Sequence, residues 1–132
     1  MPLMPTLFTS EDDLSEAVKD WLNKLNEIGA ISTVHFHVPN EFKPYKNATK
    51  AWAKKKRIGC VAGAPDWVIV WQDGCLMLEL KNKTSLQTAT TAMSENQKEF
   101  ARECEKKELH YRLVWDKESF IDALKSCCLL NE

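Results

Sequence analysis

Asp66 stands directly after Pro65, and Glu79 and Lys81 follow after twelve intervening residues. An acid followed by acid-x-lysine is a set of groups that can hold a divalent cation and steer a water. Two carboxylates brought together repel each other and lose hydration, which is costly unless a cation resolves it. Their hard oxygens suit Mg²⁺ or Mn²⁺, which keep several waters and take one or two carboxylates plus substrate phosphate. A lysine beside such an ion can orient or deprotonate a water, or offset charge developing on a phosphate. Alone, Glu79-x-Lys81 reads equally well as a salt-bridged pair on a surface strand; Asp66 is what strengthens the chemical reading.

The surrounding elements predict that the three residues meet. Trp67 to Trp71 is a β-rich run, Gln72-Asp73-Gly74 is a turn signal, and Cys75 to Lys81 is a second run, so the segment reads as a hairpin. Period-two alternation puts Glu79 and Lys81 on one face and Leu78 and Leu80 on the other. The turn brings Asp66, at the start of the first strand, beside the end of the second.

Around this hairpin, residues 11–28 carry the amphipathic stripe Leu14, Val18, Trp21, Leu22, Leu25 and Ile28, with Ser10 as N-cap and Gly29 just past the end. Val34 to Val38 alternates up to Pro39 and predicts a strand with one apolar face. Residues 82–92, polar and rich in Thr and Ser, predict a mobile loop. Ser94 caps a helix to about Lys107, marked by Met93, Phe100 and Cys104; Tyr111 to Trp115 is a short strand. Lys117 to about Leu129 is a last helix with Phe120, Ile121 and Leu124 inward. The expected order is α-β-(basic helix and loop)-β-β-α-β-α.

At 132 residues, 44% of them apolar, the chain predicts one domain spanning 1–132. No apolar run approaches the roughly 18 residues that cross a bilayer, and the N-terminus lacks the pattern of a signal peptide. The five cysteines are odd in number and include the adjacent pair Cys127-Cys128, so reduced thiols of an intracellular protein are expected.

The net charge of −1 conceals an asymmetry. Residues 42–65 hold no acid and seven bases, Lys43, Lys46, Lys50, Lys54, Lys55, Lys56 and Arg57, with Tyr45 and Trp52 among them. Part of this stretch, Ala48 to Lys56, has a helical pattern. A solvated loop is the plain reading; a polyanion facing the segment explains the missing acids. His35-x-His37 would project two rings from one strand face, but no third ligand stands at zinc-site spacing, so packing or phosphate contact is the better expectation.

These pieces together resemble the PD-(D/E)XK nucleases, and more closely their VRR-NUC type. The resemblance runs from about Ser10 to Leu124. It comprises Ser10-Glu11-x-x-Leu14, His37-Val38-Pro39-Asn40-Glu41, the basic run into Gly59-x-x-x-Gly63-Ala64-Pro65-Asp66, then Glu79-Leu80-Lys81, and finally Ser94-Glu95-Asn96-Gln97. Two small departures are Ser15, where the family often has glutamine four residues after the helix acid, and Ala64, where a larger apolar residue is usual.

The resemblance implies an α/β fold with a restriction-endonuclease-like core, α-β-β-β-α-β in order, a mixed central sheet flanked by helices, and an extra C-terminal helix. It makes Asp66 and Glu79 metal ligands together with the Leu80 backbone carbonyl, Lys81 the catalytic lysine, and Gln97 a supporting glutamine. Glu11 would be the first-helix acid, reaching the ion through water. The helical wheel agrees, placing Glu11 near the apolar stripe and Glu16 nearly opposite. Asn40 and Glu41 resemble positions at the site's edge and read equally as substrate contacts or as a turn; in the first reading Asn40 joins the basic residues as an expected DNA contact.

The implied activity is Mg²⁺- or Mn²⁺-dependent hydrolysis of DNA phosphodiesters. Branched DNA, such as a four-way junction, is the expected partner, cut by a homodimer without membrane association. The implied location is the cytoplasm of a bacterial or phage-infected cell, or the nucleus of a eukaryotic one. Two rivals remain at this level: a non-catalytic nucleic-acid-binding or assembly subunit with a nuclease fold, and an RNA-cleaving enzyme.

Overall fold

The structure, a computed structural model, describes residues 8–39, 53–55, 57–59 and 61–131. Helix α1 (Glu11–Glu27) begins where Ser10 Oγ accepts a hydrogen bond from the Asp13 backbone N–H, and three acids in its first turn complement the helix dipole. Leu14, Val18 and Leu22 are fully buried along its inner stripe, with Trp21 and Leu25 packed beside them. The stripe ends earlier than its spacing predicts. Ile28 is the C-cap and is 62% exposed, because Gly29 turns the chain away with a φ of +77°.

Among the described residues, four strands form one mixed sheet in spatial order β1 (Val34–His37), β2 (Trp67–Trp71), β3 (Gly74–Leu80), β4 (His110–Val114). The β1–β2 and β2–β3 pairs are antiparallel, and β3–β4 is parallel. A two-residue turn, Gln72-Asp73, closes the expected hairpin. The parallel pair requires a crossover, supplied by α2 (Leu86–Thr91) and α3 (Glu95–Lys106); α4 (Lys117–Ser126) follows β4. The chain is thus a mixed α/β fold in the order α-β-β-β-α-β-α, with α2 as an added short helix.

The core lies on the sheet face that carries Trp67, Ile69, Leu76, Leu78, Leu80 and Val114, packed with the α1 stripe and with Phe120, Ala123 and Leu124 of α4. On the opposite face α3 meets β4, where the rings of Phe100 and Tyr111 lie 5.8 Å apart. Among the described residues, fourteen make one continuous buried cluster, so α1, the sheet and α4 position one another.

Several local expectations change. The apolar side of β1 faces outward, with Val34 72% and Phe36 51% exposed. Register explains the inversion. His35 pairs with Ile69 and His37 with Trp67, so the histidines share the face of two core residues. His35 is accommodated there by Asn23 Oδ1 at 3.0 Å and Thr33 Oγ1 at 3.3 Å.

The polar segment 82–92 is not a featureless loop. Ser85 and Thr88 form a capping box that opens α2, Ala89 is buried, and the hydroxyls of Thr90 and Thr91 donate to carbonyls of Leu86 and Gln87. The last helix stops at Ser126 rather than near Leu129. There Cys128 takes a φ of +63°, and the N–H groups of Leu129 and Leu130 turn back to the Leu124 carbonyl.

Cys75, Cys104, Cys127 and Cys128 are free thiols, and Cys60 lies outside the described residues. Among the described residues, no helix is long and apolar enough to cross a membrane.

Candidate active site

The site is built at the end of the hairpin. The Asp66 N–H donates to the Leu78 carbonyl at 2.9 Å, and the Asp66 carbonyl accepts from Val38 N–H at 2.7 Å, which pins its backbone between β3 and β1. Trp67 pairs with Leu78, so Asp66 falls opposite Glu79. Asp66 Oδ2 accepts from the Leu80 N–H at 2.7 Å, fixing the side chain as well as the backbone. Lys81 is anchored on the other side, where its N–H donates to the Val114 carbonyl of β4 at 3.0 Å.

Glu79 is only 2% exposed, between two buried leucines whose side chains point to the other face. Its Oε2 accepts from Gln97 Nε2 at 2.9 Å and lies 3.8 Å from Lys81 Nζ. Its Oε1 is buried and meets no N–H or hydroxyl donor among the described residues, and the carboxyl shares a hydrogen bond with Asp66 only when it carries a proton. A buried carboxylate oxygen without a donor is costly. Burial, and next the charge of Asp66, push this carboxyl up to about 9 against the opposing pull of Lys81. Glu79 therefore holds its proton at neutral pH unless a cation is present.

Gln97 reaches Glu79 because α3 begins in the right place. Ser94 Oγ accepts from the Gln97 N–H at 3.1 Å, and Gln97 Oε1 accepts from the Ser94 N–H at 2.9 Å, a closed capping box. The remaining amide donor of Gln97 is the one that meets Glu79. Gly63, with a φ of +80°, lies against this same turn: a Cβ there would overlap the Asn96 carbonyl group. Its lack of a side chain is what lets the segment before Asp66 approach α3.

Glu11 enters from the first turn of α1. Loss of surrounding water raises its carboxyl, Lys81 opposes the shift, and Asp66 adds to it, so the three groups share one electrostatic neighbourhood. Ser15, one turn on, accepts from Trp67 Nε1 at 3.0 Å and ties α1 to β2. Glu11, Asp66, Glu79, Lys81 and Gln97, the five residues singled out in the sequence, all line one cleft of about 180 Å³, as does Leu80. Glu16 is exposed and does not line the cleft.

The chemistry of the donor set fits a hard divalent cation. Two carboxylates converge, one buried oxygen lacks a protein donor, and Leu80 lines the same wall. Among the described residues, no three His, Cys, Asp or Glu side chains form a protein-only cage. Such a site suits an ion that takes one or two carboxylates and keeps its waters.

Two residues named in the sequence for other reasons also line the cleft, and one that was not named stands in its electrostatic neighbourhood. His37 forms a wall of the cleft, whereas its strand neighbour His35 is held by Asn23 and Thr33. Ser15 also lines it, and its spacing of four from Glu11 placed both on one helix face. Tyr111 has a buried hydroxyl without a partner among the described residues; burial, then Glu79 and Asp66, hold it in the neutral form. Nothing local in the sequence marks that residue.

Of the basic residues, Lys54, Lys55 and Arg57 are helical and exposed, and they do not line the cleft. Lys43, Lys46, Lys50 and Lys56 lie outside the described residues, as do Asn40, Glu41, Tyr45 and Trp52. No protein-family model, curated protein or solved structure matches this chain.

Proposed function

We propose that this chain is a divalent-metal-dependent, structure-selective DNA endonuclease with a restriction-endonuclease-like core of the VRR-NUC type. The observation that supports the reading most is the convergence of Glu11, Asp66, Glu79, Lys81 and Gln97, from separate elements, on one cleft. A surface salt bridge between Glu79 and Lys81 would need neither a second carboxylate nor a glutamine held at 2.9 Å by a helix cap.

In this reading Asp66, Glu79 and the Leu80 carbonyl hold Mg²⁺ or Mn²⁺, with Glu11 contributing through water. Such an ion, when bound, would supply positive charge that offsets the phosphate's. Gln97 keeps Glu79 oriented by donating to Oε2, and Asp66 is kept in place by the Leu80 N–H. Lys81, 12% exposed beside Glu79, positions or deprotonates the attacking water and offsets charge growing on the phosphate. The exposed Lys54, Lys55 and Arg57 belong to the segment that tracks the DNA backbone without reading bases. Two copies related by a two-fold axis would place symmetric nicks in a four-way junction.

The test is cleavage of a labelled four-way junction beside linear duplex, a flap and single-stranded RNA, with Mg²⁺, Mn²⁺ or chelator. Metal-dependent cutting that Asp66→Ala and Lys81→Ala both abolish is the expected result. Binding of the junction without cutting under either metal would leave a non-catalytic binding subunit as the function.

A further inference from the structure

We propose that His37 is a substrate-contact residue of the same cleft, donating a hydrogen bond to a non-bridging phosphate oxygen of the bound nucleic-acid strand. This rests on the nuclease reading and adds a residue to it. The backbone fixes where the ring stands: His37 pairs with Trp67 on β2, and the next residue, Val38, donates to the Asp66 carbonyl at 2.7 Å. The imidazole lies 5.7 Å from the Trp67 ring, whose indole nitrogen is tied to Ser15, so this cleft wall is built of interlocked groups.

The two histidines of β1 have different surroundings. His35 is bonded on both ring nitrogens, to Asn23 and Thr33. His37 is exposed and lines the cleft.

The donors of the cleft indicate what His37 meets. Among the described residues that line it, Lys81 is the one basic side chain, and the Gln97 amide is already engaged by Ser94 and Glu79. An anionic phosphate entering there requires further donors. The imidazole is the ring donor on the β1 wall.

His37→Ala and His37→Gln test this with two readouts, Mn²⁺ affinity by calorimetry and junction-DNA affinity in Ca²⁺. Cleavage kinetics in Mn²⁺ are followed alongside. Removing a hydrogen bond to a charged group weakens DNA binding about 10-fold or more. His37→Ala is expected to show that loss and a matching rise in KM, with Mn²⁺ affinity within about twofold of wild type, and His37→Gln, which keeps an N–H donor, to recover part of it. Unchanged DNA affinity in His37→Ala overturns the proposal, as does a parallel loss of Mn²⁺ affinity, which would make His37 a ligand. If the wild type binds but never cuts, the nuclease reading falls while the binding contrast still decides His37. If the wild type does not bind DNA, both fall.

Discussion

Gln97 uses both ends of its side-chain amide: Oε1 closes the helix cap on Ser94, and Nε2 donates to Glu79 at 2.9 Å. The start of α3 and the orientation of a buried carboxyl are therefore one structural feature. Replacing Gln97 by Leu removes half of the capping box and leaves Glu79 without a donor. A stability loss of about 1–3 kcal/mol is expected, measured by urea unfolding. Gln97→Glu keeps the cap acceptor but sets a second acid against Glu79. Its loss should be larger at pH 8 than at pH 5.

Gly63 supports the same contact from the other side. Gly63→Ala strains a φ of +80° and pushes a methyl group into the Asn96 carbonyl, so the first turn of α3 must shift. The expected cost is about 1–3 kcal/mol. The side-chain amide resonances of Gln97 should move in the NMR spectrum; an unmoved amide would show that the Gly63 contact does not set the Gln97–Glu79 bond.

The raised Glu79 carboxyl gives metal-free stability a definite pH dependence. The unfolded chain releases this proton near 4.5, and the folded chain keeps it up to about 9. Between those values the native state binds more protons, so stability falls as pH rises, by up to about 1.4 kcal/mol per unit. Glu79→Gln has no proton to release and removes that slope. Urea midpoints of both proteins from pH 5 to 9, in chelator, measure the difference.

Divalent ions should stabilise the folded chain in proportion to occupancy. At a free Mn²⁺ concentration 100 times Kd the gain is about 2.7 kcal/mol. Asp66→Ala and Glu79→Ala should show no such rise in Tm. Because Glu79 must lose its proton to serve as a ligand, Mn²⁺ affinity should strengthen as pH increases. Calorimetry in two buffers of different ionisation enthalpy would count the released protons.

DNA binding should weaken steeply with salt. Each phosphate contact removed lowers the log–log slope by about 0.9. Replacing Lys54, Lys55 and Arg57 together should flatten the dependence measurably, while leaving Mn²⁺ affinity unchanged, since none of the three lines the cleft. An unaltered slope would remove these residues from the DNA contact.

Local spacing in the sequence was enough to determine the hairpin, the two cap sites at Ser10 and Ser94, and the placing of Glu79 and Lys81 on one face with Asp66 alongside. Each of these follows from a period of two or 3.6 and from short-range hydrogen bonding. What needed the tertiary structure is which faces are covered and by what. Val34 and Phe36 carry an apolar pattern, yet edge position and register turn them outward and set His37 against the cleft. Alternation defines two faces of a strand without saying which one the core takes. The Glu79 carboxyl rises only because Asp66 and a buried environment arrive together, and Gln97 reaches it only because Gly63 admits α3. Those effects depend on distances between segments remote in the chain, which no local pattern encodes.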